Sequence, residues 1–278
     1  MIYIYYINNN SYYYLMESSN SDSQQTTNKK DLQSPFESSN DEENDSDENS
    51  SKDGLQIEVL GEQYKEYDNS YKIIVVGNSG VGKSCLSLKA TKGLFEEEFL
   101  STMGFEFYSF YIKINKSIVK LQIWDTCGQE VYRSLISNFY RNSSVAILVY
   151  AINDRKSFED IDVWTKQIKN LSSPDCKVFL IGNKADLVDS RKVTKEEGKN
   201  CKKKNLFNLF METSAKTGLN ARKLFITAAR ILYLENLKYN EDDNAGLKGK
   251  ESKILDSISK TIELNQMGNE DEENEGCC

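Results

Sequence analysis

The stretch Gly77-Asn78-Ser79-Gly80-Val81-Gly82-Lys83-Ser84 fits G-x-x-x-x-G-K-[ST], the spacing of a loop that cradles phosphate. Its flanks decide how it is read. Tyr71-Lys72-Ile73-Ile74-Val75-Val76 is a β-branched run of the kind buried in an α/β sheet, and Cys85-Leu86-Ser87-Leu88-Lys89-Ala90 continues with residues a helix tolerates. A glycine-rich surface turn matches the same pattern by chance, but lacks that strand-loop-helix context. Glycines let successive backbone N–H groups turn toward anionic oxygens, and the helix N-terminus adds its positive dipole. Lys83 would then reach the β- and γ-phosphates, and the Ser84 hydroxyl would ligate Mg²⁺.

Charge divides the chain. Of a total of −8 over 278 residues, positions 1–70 carry −11 and positions 240–278 carry −7, leaving +10 for 71–239. The middle segment suits a single core. Its positive residues are scattered apart from Lys202-Lys203-Lys204, with no aromatic-rich binding motif, so nucleic acid is not expected as a partner. There is no histidine, which removes His-based nucleophilic pairs and the commonest transition-metal ligand. The six cysteines lack paired metal spacing, so a reduced, cytosolic setting is the default.

Residues 17–56 are rich in Ser, Asn, Asp, Glu and Gln and read as disordered, because such a composition cannot offset the entropy of ordering. Met1 to Met16 alternates Ile and Tyr around Asn8-Asn9-Asn10; it suits a strand without an obvious partner and is too short to span a bilayer. Leu55, Ile57, Val59 and Leu60 read as part of a polar linker in preference to a segment docked weakly on the domain. The organisation expected is therefore a disordered acidic extension over 1–70, a domain over 71–239 and a flexible acidic tail over 240–278. From Tyr71 onward strands alternate with helices: strands at 105–114 and 117–124 turned by Asn115-Lys116, then 145–151, a helix over 157–171, a strand at 177–182, a basic helix over 194–204, a strand at 207–212 and a closing helix over 219–237. That pattern gives six strands and five helices in an α/β arrangement.

Three further sites follow strand ends. Trp124-Asp125-Thr126-Cys127-Gly128-Gln129-Glu130 offers Asp125 as a second Mg²⁺ anchor, Gly128 for close approach to a γ-phosphate and Gln129 to orient water. Asn183-Lys184-Ala185-Asp186 offers a carboxylate able to accept two hydrogens from guanine, a pair that adenine lacks. Thr213-Ser214-Ala215-Lys216 would put the Ala215 N–H near guanine O6. Each motif alone is weak; four in order at strand ends are strong.

The chain here resembles the Rab branch of the Ras-like small GTPases over about residues 71–237, on GNSGVGKS (77–84), STMGFEF (101–107), LQIWDTCGQE (121–130), GNKADL (182–187) and ETSAK (212–216). The resemblance implies a P-loop GTPase fold, α/β, with a six-stranded, mostly parallel sheet and helices on both faces. It implies that GTP or GDP is held by residues 77 to 84 (Gly77, Asn78, Ser79, Gly80, Val81, Gly82, Lys83, Ser84) with Cys85, Phe95, Thr102, Asp125, Gly128, Asn183, Lys184, Asp186, Ser214, Ala215 and Lys216. Mg²⁺ would be held by Ser84, Thr102 and Asp125, and Gln129, Lys83 and Thr102 would serve catalysis. Segments near 94–107 and 126–141 would be nucleotide-dependent switches, and Phe107, Trp124 and Tyr140 fall where the family has an aromatic effector triad; ordinary core packing explains them equally well. Cys127, Val145, Ala151 and Asn78 depart from common family residues without removing a ligand-bearing group. The final Cys277-Cys278 is similar to the Rab ending that takes two geranylgeranyl groups, and one lipid chain beside an acidic flank would anchor poorly. The family reading adds an activating protein, an exchange factor, a prenylation escort, a dissociation inhibitor and effectors as partners. It also implies vesicle trafficking on the cytoplasmic face of an endomembrane, in exchange with the cytosol. A nucleotide-holding regulatory scaffold with little turnover is the competing reading.

Overall fold

The computed structural model describes residues 4–7, 11–14, 55–61, 64–96, 105–126 and 139–243. In chain order the elements are β1 (Ile4–Ile7), β2 (Ser11–Tyr14), β3 (Ile57–Leu60), β4 (Asn69–Val76), α1 (Lys83–Lys92), β5 (Phe105–Ile114), β6 (Ser117–Thr126), β7 (Val145–Ala151), α2 (Arg155–Glu159), α3 (Ile161–Leu171), β8 (Lys177–Asn183), α4 (Lys195–Asn205), β9 (Leu209–Glu212) and α5 (Ala221–Asp243).

The main sheet runs β3-β5-β6-β4-β7-β8-β9. From β6 to β9 every pairing is parallel, and β5 joins β6, and β3 joins β5, antiparallel. A parallel sheet must be covered on both faces, and β4 shows how the sequence achieves it. Its last four residues, Ile73 to Val76, are fully buried, with Ile73 and Val75 in one apolar cluster and Ile74 and Val76 in the other. On the first face lie Leu86 of α1 and Leu224, Phe225, Ala228 and Leu232 of α5, at helical spacing. On the second lie Ile161, Trp164 and Ile168 of α3, with Phe207 just beyond α4. This α/β P-loop architecture agrees with the expected fold class.

The strand count differs. The sheet has seven strands where six were expected, because Ile57–Leu60, read as linker, pairs with Tyr111–Ile114. The cause lies in the Asn115 turn. Asn115 adopts a left-handed φ of 56°, accepts the Gln56 N–H on Oδ1 at 3.0 Å and donates its own N–H to the Gln56 carbonyl at 2.8 Å. Leu55 and Leu60 are then buried on either side of that anchor. The Ile/Tyr-rich start also finds a partner, within itself: Ile4–Ile7 pairs antiparallel with Ser11–Tyr14.

The helix expected over 157–171 is two helices, α2 and α3, interrupted at Asp160. Asp154 caps α2 by accepting the Lys156 N–H at 3.1 Å, which starts that helix two residues early. The basic helix α4 begins after Thr194 in a reciprocal capping box with Glu197. The closing helix α5 begins at Ala221 and runs to Asp243, past the expected domain limit at 239.

Candidate nucleotide site

All five parallel strands end at one edge of the sheet, the general location of ligands in open α/β folds. After β4 the chain enters the loop 77–82, where Gly77, Gly80 and Gly82 all have positive φ. Two of these glycines are enforced by packing as well. A Cβ on Gly77 would lie 2.1 Å from the Val149 carbonyl oxygen, and one on Gly82 would lie 2.5 Å from Asn183 Nδ2. Gly82 also occupies the N-cap of α1, where it has no side chain to cap the helix. A carboxylate or hydroxyl there would compete with an incoming anion for the helix N-terminus.

Lys83 is almost wholly buried and folds back over the loop, donating from Nζ to the carbonyls of Gly77 (3.0 Å) and Asn78 (2.8 Å). The Ser84 hydroxyl contacts Asp125 Oδ2, so two of the three Mg²⁺ positions expected from sequence stand together. Asp125 is fully buried, and burial pushes its carboxyl up to about 7 despite the opposing pull of Lys83 and Ser84. Its second oxygen, Oδ1, is buried without a hydrogen-bond partner among the described residues. A buried carboxylate oxygen left in that state is costly unless a cation or its water completes it. The donor set, a hydroxyl and a carboxylate, is all oxygen, the chemistry Mg²⁺ selects. The residues fit the ion.

The loops expected from sequence to read the base are fastened to the loop 77–82. Asn183 Nδ2 donates to the Val81 carbonyl at 2.9 Å, while its Oδ1 accepts from Thr213 Oγ1 at 3.1 Å. Lys184, at φ 63°, sends Nζ to the Gly80 carbonyl at 2.7 Å. The Ser214 hydroxyl donates to Asp186 Oδ1 at 2.5 Å and accepts the Thr217 N–H at 3.1 Å. The Ala185 N–H reaches the Thr213 carbonyl at 2.9 Å. Ala215 is buried and Lys216 exposed at the mouth of this loop. Cys85 is half-buried behind the α1 N-terminus, where burial raises its thiol pKa. Phe95 is half-buried against the first core cluster.

Sequence residues 77–85, Asp125, Asn183, Lys184, Asp186 and Ser214 to Lys216 thus come together at one sheet edge. Thr102, Gly128 and Gln129 lie outside the described residues, as do Cys277 and Cys278. Of the aromatic trio, Phe107 meets Trp124 edge-on with centroids 5.0 Å apart, both half-buried, while Tyr140 is buried in the second core. Two contacts were not legible in the motifs. Thr213 aligns Asn183, and Asn78 is held by Asp160 and Trp164, 2.7 Å from each. A tryptophan on an apolar helix face carries an indole N–H that needs a partner, which was the available signal for the second.

The Ras family model matches residues 72–234. The chain is a small GTPase of the Ras family, in its Rab branch. Among its relatives, human Ras-related protein Rab-8B is 39% identical over 197 residues, spanning 70% of this chain and 94% of its own. Ras-related protein RABA1b of Arabidopsis thaliana is 37% identical over 218 residues, spanning 77% and 95%. Ras-related protein Rab-1 of Theileria annulata is 43% identical over 169 residues, spanning 60% and 76%. This Rab-family chain is therefore a GTP-binding and GTP-hydrolysing switch in vesicle trafficking, and the scaffold reading is not favoured.

Proposed function

We propose that this Rab-family GTPase binds Mg²⁺-nucleotide in the four-loop site with the roles its motifs suggest. The observation that carries the reading is the meeting of the Ser84 hydroxyl and the buried Asp125 carboxylate beside Lys83, directly under the phosphate loop. Lys83 would exchange its loop carbonyls for β- and γ-phosphate oxygens, a short movement for a flexible side chain. Ser84, Asp125 and Thr102 would hold Mg²⁺, which when bound neutralises charge on the phosphates. Asp186 would accept from the guanine N1 and N2 hydrogens, oriented by Ser214, and Ala215 would offer its N–H to O6. Gln129 would orient the attacking water, and Lys83 would stabilise the charge that develops on the leaving phosphate.

Turnover would be slow alone, since no arginine is placed by its motif to reach the γ-phosphate; such a residue is worth about 10³–10⁵ in rate. An activating protein would supply it, and an exchange factor would load GTP. Effectors would read the two switch segments. An escort would present Cys277 and Cys278 for prenylation, and a dissociation inhibitor would return the lipidated protein from an endomembrane to the cytosol.

Single-turnover hydrolysis with Mg²⁺ tests the catalytic assignment. Gln129→Leu should cut the rate by about 10-fold or more, the scale of a lost water-positioning group. Equal and negligible rates for both proteins would favour the scaffold. A fluorescent fusion ending before Cys277 should be cytosolic; if it still decorates membranes, the lipid anchor is wrong.

A further inference from the structure

The phosphate loop of this chain is tied to a helix on the second face of the sheet through one side chain. Trp164 Nε1–H, on α3, donates to Asn78 Oδ1 at 2.7 Å. Asn78 Nδ2 donates in turn to Asp160 Oδ2 at 2.7 Å. The chemistry fixes the amide's orientation, since an indole N–H can only donate and a carboxylate can only accept. Asp160 stands in the interruption between α2 and α3, and its other oxygen accepts from Lys156 Nζ at 2.7 Å. Asn78's own carbonyl takes the 2.8 Å hydrogen bond from Lys83 Nζ. A continuous run of hydrogen bonds therefore links the α2–α3 junction to the lysine of the phosphate loop.

We propose that Asn78 is a positioning residue that sets nucleotide residence time by fastening the phosphate loop to Asp160 and Trp164. The loop's affinity depends on several N–H groups holding one curvature at once. A tether at its second residue keeps that curvature while Lys83 turns from loop carbonyls to phosphate. An amide is required at position 78 because it must donate on one side and accept on the other. Aspartate in its place would keep the Trp164 bond but set two carboxylates against each other. This rests on residues 77–84 being the phosphate loop of the GTPase.

The test is release of a fluorescent GDP analogue from full-length protein, chased with excess GDP. Trp164→Phe, which keeps the ring packing, should speed release by about fivefold, the worth of one hydrogen bond. Asn78→Asp should speed it by about tenfold or more, because like charges at hydrogen-bond distance repel in a partly buried setting. The double variant Asn78→Asp with Asp160→Asn restores a donor facing an acceptor, and should return release to within about threefold of wild type. A general loss of packing would not be repaired by that exchange. Circular dichroism on each GDP-loaded variant checks folding, and Asp160→Ala, which removes the acceptor facing Asn78 and should also speed release, takes the place of Trp164→Phe if that variant does not fold. Wild-type rates in the single variants, or a double variant no slower than Asn78→Asp, would overturn the tether while leaving the loop assignment intact. A wild-type protein that binds no GDP would overturn both.

Discussion

At the residue scale, the site is organised by groups that are uncomfortable without a ligand. Asp125 is the clearest. Its carboxyl stands near 7 in the folded protein against about 3.9 when unfolded. A carboxyl raised in this way favours the protonated folded state, so its contribution to nucleotide-free stability is complete below about pH 4 and lost as pH rises through about 7. Mg²⁺ needs the ionised form, so loading near pH 6 should release close to one proton from this group, falling toward none at pH 8. Calorimetry of Mg²⁺-GDP binding in buffers of different ionisation enthalpy measures that release; a count independent of pH would show Asp125 already ionised. Gly82 gives a second prediction. Alanine there must hold φ 92° and press its Cβ against Asn183 Nδ2. The strain alone is about 1–2 kcal/mol, and it would push apart the phosphate loop and the base loop. Gly82→Ala should therefore weaken GDP binding by about 10-fold or more, read as analogue fluorescence; unchanged affinity would mean the Asn183 staple is dispensable.

At the element scale, the seventh strand is the feature that sequence reading ranked too low, taking its residues for a linker in preference to a docked segment. Leu60→Ala should cost about 2 kcal/mol in chemical unfolding of the GDP-bound protein, because the side chain is buried in the structure and its removal leaves a cavity. A neutral substitution would mean that β3 is not docked in solution. Thr194→Ala removes the α4 capping box and should cost about 1 kcal/mol in the same assay. Glu197 of that box is held at about 2 by Arg155 first and the Thr194 backbone second, so the cap persists well into acid. These elements also show why legibility in the sequence was uneven. The motif loops were readable because each directly follows an apolar strand run, as in Ile73 to Val76 or Val178 to Ile181, so strand end and chemistry sit in one window. β3 was not, because Glu58 interrupts its apolar residues and its docking signal is Asn115, far along the chain. The break at Asp160 was hidden for a related reason: its carboxylate is engaged by Asn78 in another element, and no local pattern reports that.

At the scale of the whole molecule, the sheet acts as a frame that brings loops separated by more than a hundred residues to one edge. Asn183 and Lys184 close the phosphate loop at Val81 and Gly80, while Ser214 braces Asp186 from the next strand end. In the proposed site, phosphate binding and base reading would thus be mechanically joined, and a base that Asp186 cannot engage should also fit poorly on the phosphates. The direct measurement is isothermal calorimetry on the nucleotide-stripped full chain, titrated with the Mg²⁺ complexes of GTP, ATP and xanthosine triphosphate. Wild-type protein should bind GTP at least about 100-fold more tightly than ATP, since a lost pair of charge-assisted hydrogen bonds is worth about 3 kcal/mol. Asp186→Asn should lose GTP affinity and shift toward xanthosine triphosphate. Equal affinity of the wild-type protein for GTP and ATP would contradict the four-loop guanine site.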